Sequence, residues 1–451
     1  MIVPRDKYQS FVGVLFADVP AVTTFERCVK RIGIIAGIAV LVCSCSAPES
    51  LSGVIEATSD AGGGGMSSTA VLARVDLGTL GGRTSVAADI NSRDVVVGSS
   101  ETVTGAVHGF RWSAATGMVD LGTLAGDDES RAVAILDGNM LGGGEVLGLS
   151  GRSGDWTPVV WSASGSISAL PIPLLPDAQL SNPTGFNMRG QVTGSDAIVF
   201  QHAWVWSAAD GKYDLTANAP PPGESTEGIA NAITGSGFVL VTTRLYPYTC
   251  RPVQCWRAYV WNERTGYVAL GTPDDDPAVG VIGYGLNDRG TVVGSVTNAE
   301  TGVSPYRWNG GSGFTLLARL SIGYSVGHAF AVNASGTVVG IDREPDSGVS
   351  VATAWPPSGG IVRLSPGDPA PSIAIAINAT GTIAGWAVAL DGATHAVIWT
   401  PAIDMLAGSS ARATPMHDKA STATARCVAD ISSIMSRQKL TACVIEADRN
   451  R

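Results

Sequence analysis

The stretch GFRWSAATGMVDLGTL, residues 109–124, decides the fold, because the chain rewrites it six more times. It returns as VVWSASGSISAL (159–170), WVWSAADGKYDL (204–215), YVWNERTGYVAL (259–270), YRWNGGSGFTLL (306–317), ATAWPPSGGIVRL (352–364) and VIWTPAIDML (397–406). The anchors are Trp112, Trp161, Trp206, Trp261, Trp308, Trp355 and Trp399, at intervals of 49, 45, 55, 47, 47 and 44 residues. In the first six copies a leucine stands nine residues after the Trp: Leu121, Leu170, Leu215, Leu270, Leu317 and Leu364. Glycine and small polar residues lie between the two, which reads as a hairpin: one strand ending at Trp, a glycine turn, a second strand running to Leu.

Upstream of each Trp the same logic repeats in a second phrase: small and apolar residues, Asn, two variable positions, Gly, then β-branched residues. Asn287 to Gly290, Asn333 to Gly336 and Asn378 to Gly381 are the clearest copies. Asn closes a turn through its own backbone, and Gly accepts the positive φ that ends it. Asp94 replaces that Gly in the first copy and Asp137 replaces the Asn in the second. Each unit therefore holds four short strands. Seven such units in tandem predict an all-β, seven-bladed β-propeller over residues 70–410. A ring must close, and two segments compete to supply the last blade's outer strand: ARVDLGTL at 73–80 and AIDML at 402–406.

Composition agrees. The chain has 451 residues, 56 of them Gly, with 11 Trp against nine each of Tyr and Phe, and only 15% charged residues. Short strands with glycine turns use residues in this way. The formal net charge of −10 argues against nucleic acid as a partner, since nucleic-acid binding needs a basic footprint.

The ends read differently. Lys30-Arg31 precedes the apolar run Ile32 to Val42, which is too short to span a bilayer and fits the core of a secretory signal. Val42-Cys43-Ser44-Cys45 resembles a bacterial lipobox, with Cys45 as the lipidated residue. Residues 1–45 are thus expected to be a signal region. The 29 residues before Lys30 are long for such a leader; Val29 as the start codon would leave 1–28 untranslated. Residues 46–69, with AGGGG at 61–65, form a flexible tether. Residues 411–451 carry seven basic and four acidic residues and no repeat, and form a separate C-terminal tail. Of the remaining cysteines, Cys250 pairs in sequence with Cys255 and Cys427 with Cys443, predicting two local disulfides in an oxidising compartment.

The repeats, in particular VDLGTLGG, SVAADIN, VVVGSS, HGFRW and QHAWVW, resemble HAF repeats, an extracellular bacterial repeat named for His-Ala-Phe. The likeness covers about residues 73–406; the triplet itself stands at His328-Ala329-Phe330. It implies export and a β-propeller-like fold, and brings no assigned activity.

In four-stranded blades the Asn and Trp turns share one face. The connections after VVG and after DLGTL share the other, and these vary most, so binding is expected there. The loop RLYPYTCRPVQCWR offers Tyr246, Tyr248, Arg251 and Trp256, and a Cys250–Cys255 bridge would pre-order it. A second candidate is the acidic set Asp127, Asp128, Glu129, Asp274, Asp275 and Asp276. Converging carboxylates could hold Ca²⁺, although the DDD run lacks the alternate spacing of a calcium loop and Pro277 suits a solvated turn. His108, His202 and His395, four residues before a Trp, sit too far from the axis to converge on a metal and are expected to be structural. No GxSxG, HExxH or phosphate-binding loop occurs. The expected function is a lipid-anchored binding scaffold of the cell envelope, its partner an envelope protein or glycan. The alternatives are a propeller glycosidase or lyase and a purely structural envelope protein.

Overall fold

The computed structural model describes residues 73–400, apart from 138–143, 176–177, 179, 198–200, 219–226, 245–255 and 322–324. The signal region, tether, C-terminal tail, Cys250, Cys255, Cys427 and Cys443, and residues Tyr246, Tyr248 and Arg251 lie outside the described residues.

Seven antiparallel blades follow one another: residues 81–120, 129–169, 180–214, 228–269, 280–316, 328–363 and 372–400. In the first six, the four strands run from the axis outward in chain order. The seventh contributes three, and its outer strand is Ala73–Asp76, paired antiparallel with Thr394–Thr400. Of the two competing segments, 73–76 closes the ring; 402–406 lies outside the described residues. Contacts between the inner strands Gly81–Ile90 and Ser372–Ile377 complete the circle. No described helix is long and apolar enough to cross a membrane.

Each blade is a sheet with two apolar faces, so the core lies between blades. Val339, Ala354 and Leu364 of blade 6 meet Ala374, Ile383, Val397 and Trp399 of blade 7. The anchor tryptophans fill these seams: Trp161 and Trp399 are fully enclosed and Trp355 nearly so. A ring of that size hides about 200 Å² and contributes on the order of 5 kcal/mol of transfer free energy.

Three repeated devices explain the motifs. The first is the Asn turn. Asn287 Oδ1 accepts the amides of Arg289 and Thr291 at 3.0 Å, closing its own turn, while its Nδ2 donates to the Asn333 carbonyl of the next blade at 2.9 Å. Asn333 reaches Asn378 in the same way at 3.1 Å, and Asn378 reaches Asn91 at 2.9 Å. The second is the glycine of VVG. Every inner strand carries a bulge at the same point, bringing its backbone hard against the second strand. A Cβ on Gly340 would lie 1.9 Å from the His328 carbonyl. The third is DLG. Asp120 accepts the Gly122 amide at 2.7 Å on one oxygen and His108 Nδ1 at 2.8 Å on the other. Asp76 does the same for Gly78 and His395, both at 2.8 Å. His202 meets Asp214 at 2.9 Å. All three histidines thus tie together the outer two strands of their own blade.

Candidate functional site

The blade order sorts the loops by face. On the turn face the first two strands are joined by four or five residues in every blade but the second, where ten separate Glu129–Ile135 from Val146–Arg152. On the connection face the joins differ: three residues separate Gln191–Ala197 from Gln201–Ser207, whereas 11 separate Val239–Arg244 from Trp256–Asn262.

Blade 4 and its join to blade 5 gather the most distinctive groups. Trp256 opens a third strand and stands directly across from Arg244, the last residue of the second. The Arg244 guanidinium lies 5.8 Å from the Trp256 ring centre and 3.6 Å from the Glu227 carboxylate. The next residue, Arg257, turns to the join itself. It donates to the Val279 carbonyl at 2.7 Å and the Pro277 carbonyl at 2.8 Å. These bonds tie the residues that follow the single helical turn Pro273–Asp275 to the third strand of blade 4.

That turn carries unusual backbone. Asp274 and Asp275 both adopt left-handed conformations, φ 55° and 56°. Side chains other than glycine pay for this geometry, Asp less than most. Both residues are exposed, and neither carboxylate has a hydrogen-bond or ion-pair partner among the described residues. Asp276, by contrast, accepts the Ala278 amide at 2.9 Å. Two free negative charges are therefore displayed on a braced turn, where strain is retained without a stabilising partner.

The structure thus joins two of the sequence candidates, Trp256 and Asp274–Asp276, through Arg257. It separates the third. Asp127, Asp128 and Glu129 join blades 1 and 2, three blades away around the ring. There Asp127 accepts the Ser150 hydroxyl at 2.7 Å, Asp128 faces Arg152 at 3.2 Å, and Glu129 begins an inner strand. Among the described residues, no three His, Cys, Asp or Glu side chains gather as a metal site. The sequence reading missed Arg244 and Arg257. The signal was present for Arg257, which holds the position four before Trp that His108, His202 and His395 hold in other blades.

No family model matches the chain, and no curated protein does. Solved structures do. A puromycin hydrolase matches with a TM-score of 0.51 at 14% identity, over 74% of this chain and 55% of that one. This chain therefore spans little more than half the length of that enzyme, and the likeness is one of fold. The β-propeller domain of a trilobed protease from Pyrococcus furiosus, described as having an open velcro topology, matches at 0.45 and 10% identity, over 70% and 93% of the two chains. A virginiamycin B lyase from Staphylococcus aureus matches at 0.44 and 11%, over 73% and 98%.

Proposed function

We propose that this protein is an exported binding scaffold of the bacterial cell envelope, anchored by lipid at Cys45, whose contact surface is the connection-face edge of blades 4 and 5. The observation that carries this reading is the Asp274–Asp275 turn: two exposed carboxylates, unpaired among the described residues and held in costly backbone geometry, on the join that Arg257 ties to blade 4. A turn kept only for connectivity has no need of that cost. The lipobox, the tether and the resemblance to HAF repeats support export and anchoring from the sequence side. The partner is an envelope protein or glycan, and the free carboxylates favour one that presents positive charge at the contact.

The test is a binding screen of envelope glycans and envelope proteins against the intact chain and against a variant with Asp274, Asp275 and Asp276 replaced by Ser. Loss of a captured partner in the variant, at unchanged thermal stability, supports the reading. Unchanged binding removes the acidic turn from the contact surface. Chemical turnover of a screened glycan or peptide would instead favour the enzyme alternative.

A further inference from the structure

We infer that the seam between blades 2 and 3 holds a second site, on the turn face, for a small organic cation with an apolar body.

The first observation concerns the Asn ring. Blades 1, 3, 5, 6 and 7 each reach the next blade through an Asn side-chain amide. Blade 2 cannot, because its turn carries Asp137, a carboxylate with no N–H to give; it accepts the Ser92 amide at 2.6 Å instead. Among the described strands, the contact between blades 2 and 3 is also the sparsest of the seven. Blade 4 also lacks the Asn, with Thr234 in its place, but its Gly235 amide donates to Asp288 of blade 5 at 2.9 Å and its Asn231 side chain to the Gly283 carbonyl at 2.7 Å. The turn of blade 2 makes no such forward bond among the described residues, and its seam is the one that opens.

The second observation is what the opening contains. A cavity of about 280 Å³ lies there, walled by Leu136, Phe186, Met188, Val192, Trp206 and Glu145. Glu145 Oε2 is buried and has no hydrogen-bond partner among the described residues. The cation whose charge Glu145 feels is Arg111; its two terminal nitrogens donate to the carbonyls of Gly144 and Ala163, and its Nε, like Glu145 Oε2, is buried with no hydrogen-bond partner among the described residues. A buried carboxylate oxygen without a donor is costly, and a ligand N–H would satisfy it. Two aromatic rings and a thioether supply the rest of the wall, surfaces that attract a cation while covering an apolar body. One carboxylate among aromatic faces recognises ammonium, gains less from a neutral isostere and repels a carboxylate.

The probes are phenethylamine, 2-phenylethanol and 3-phenylpropionate, titrated calorimetrically into the intact chain, into Glu145→Gln and into Met188→Lys. Met188 is 54% exposed at the rim, so a lysine there adds like charge without entering the core. The amine should bind about tenfold more tightly than the alcohol, and the carboxylate should not bind measurably. Glu145→Gln should bring amine and alcohol together, and Met188→Lys should weaken the amine alone. Equal binding of all three probes, no binding of the amine up to about 10 mM, or an amine preference that survives Glu145→Gln would overturn the assignment.

Discussion

The side-chain amide of Asn378 donates to the backbone carbonyl of Asn91 at 2.9 Å, joining positions 287 residues apart in the chain. The same amide reaches Asp94 Oδ1 at 2.7 Å. Asp94 is the residue that stands where other Asn turns have glycine, at φ 59°. The last blade is therefore locked to the first by a turn whose irregular residue supplies an additional acceptor. On the opposite face, Asp76 of the closing strand holds His395 at 2.8 Å and Arg74 pairs with Asp368 at 2.5 Å.

Closure should be more sensitive than the internal seams. Asn378→Ala removes a buried donor shared by two acceptors, leaves the Asn91 carbonyl with the Asp94 amide alone, and takes the Oδ1 acceptor from the Thr380 and Thr382 amides, at a cost of about 2–3 kcal/mol. Arg289→Ala, in an exposed turn position, should cost less than about 0.5 kcal/mol. Urea unfolding of the two variants checks the contrast; equal midpoints would mean that the Asn ring contributes nothing to closure.

The two classes of glycine should separate cleanly. Gly340→Ala forces a methyl group to within 1.9 Å of the His328 carbonyl, so the bulged strand must move; the variant should lose about 4 kcal/mol or fail to fold. Gly290→Ala has open space but φ +78°, and should cost only about 1 kcal/mol. Thermal melts decide, and the reverse order would contradict the bulge as the reason for VVG.

Two buried groups pull the pH dependence in opposite directions. Burial pushes His328 down to about 4, with Arg319 adding to it, so between there and 6.5 the unfolded chain binds more protons and stability rises with pH. Burial pushes Asp89 up to about 6 from 3.8, so across that window the folded chain binds more protons and stability falls as pH rises. Each is worth on the order of 2–3 kcal/mol and they largely cancel. His328→Phe should make stability fall from pH 4 to 6 relative to the parent, and Asp89→Asn should make it rise. Parallel profiles for all three proteins would contradict both assignments.

Lys212, the only lysine between residues 70 and 410, lies enclosed with its Nζ 2.6 Å from Asp196 and 4.5 Å from the Trp204 ring centre. Lys212→Met strands a buried carboxylate and should cost about 3–5 kcal/mol, whereas the double variant with Asp196→Ser should recover most of the loss. Chemical denaturation of the single and double variants measures the coupling, and additive losses would show that the pair is not a unit.

The blade count, the hairpins and the buried Trp were legible in the sequence because a repeat must bury the same face each time it recurs. The Asn and Gly of the turns were legible as turn residues; that the Asn also ties blades together was not, since its second hydrogen bond goes to a carbonyl about 45 positions away with no residue signature. The acidic turn was visible as DDD, but its link to the Trp256 strand runs through Arg257, whose bonds to Val279 and Pro277 go to backbone carbonyls that carry no residue signature. The Glu145 cavity was invisible for a like reason: its walls come from two blades, Leu136 and Glu145 from the second and Phe186 and Trp206 from the third, with no shared motif.

Hydrogen–deuterium exchange of the intact chain, with and without the partner recovered from the envelope screen, tests the functional surface most directly. New protection is predicted in peptides covering 240–262 and 270–282, with none in the Asn turns at 287–291 and 333–337. Protection confined to those Asn turns, or to the joins of blades 1 and 2, would contradict it.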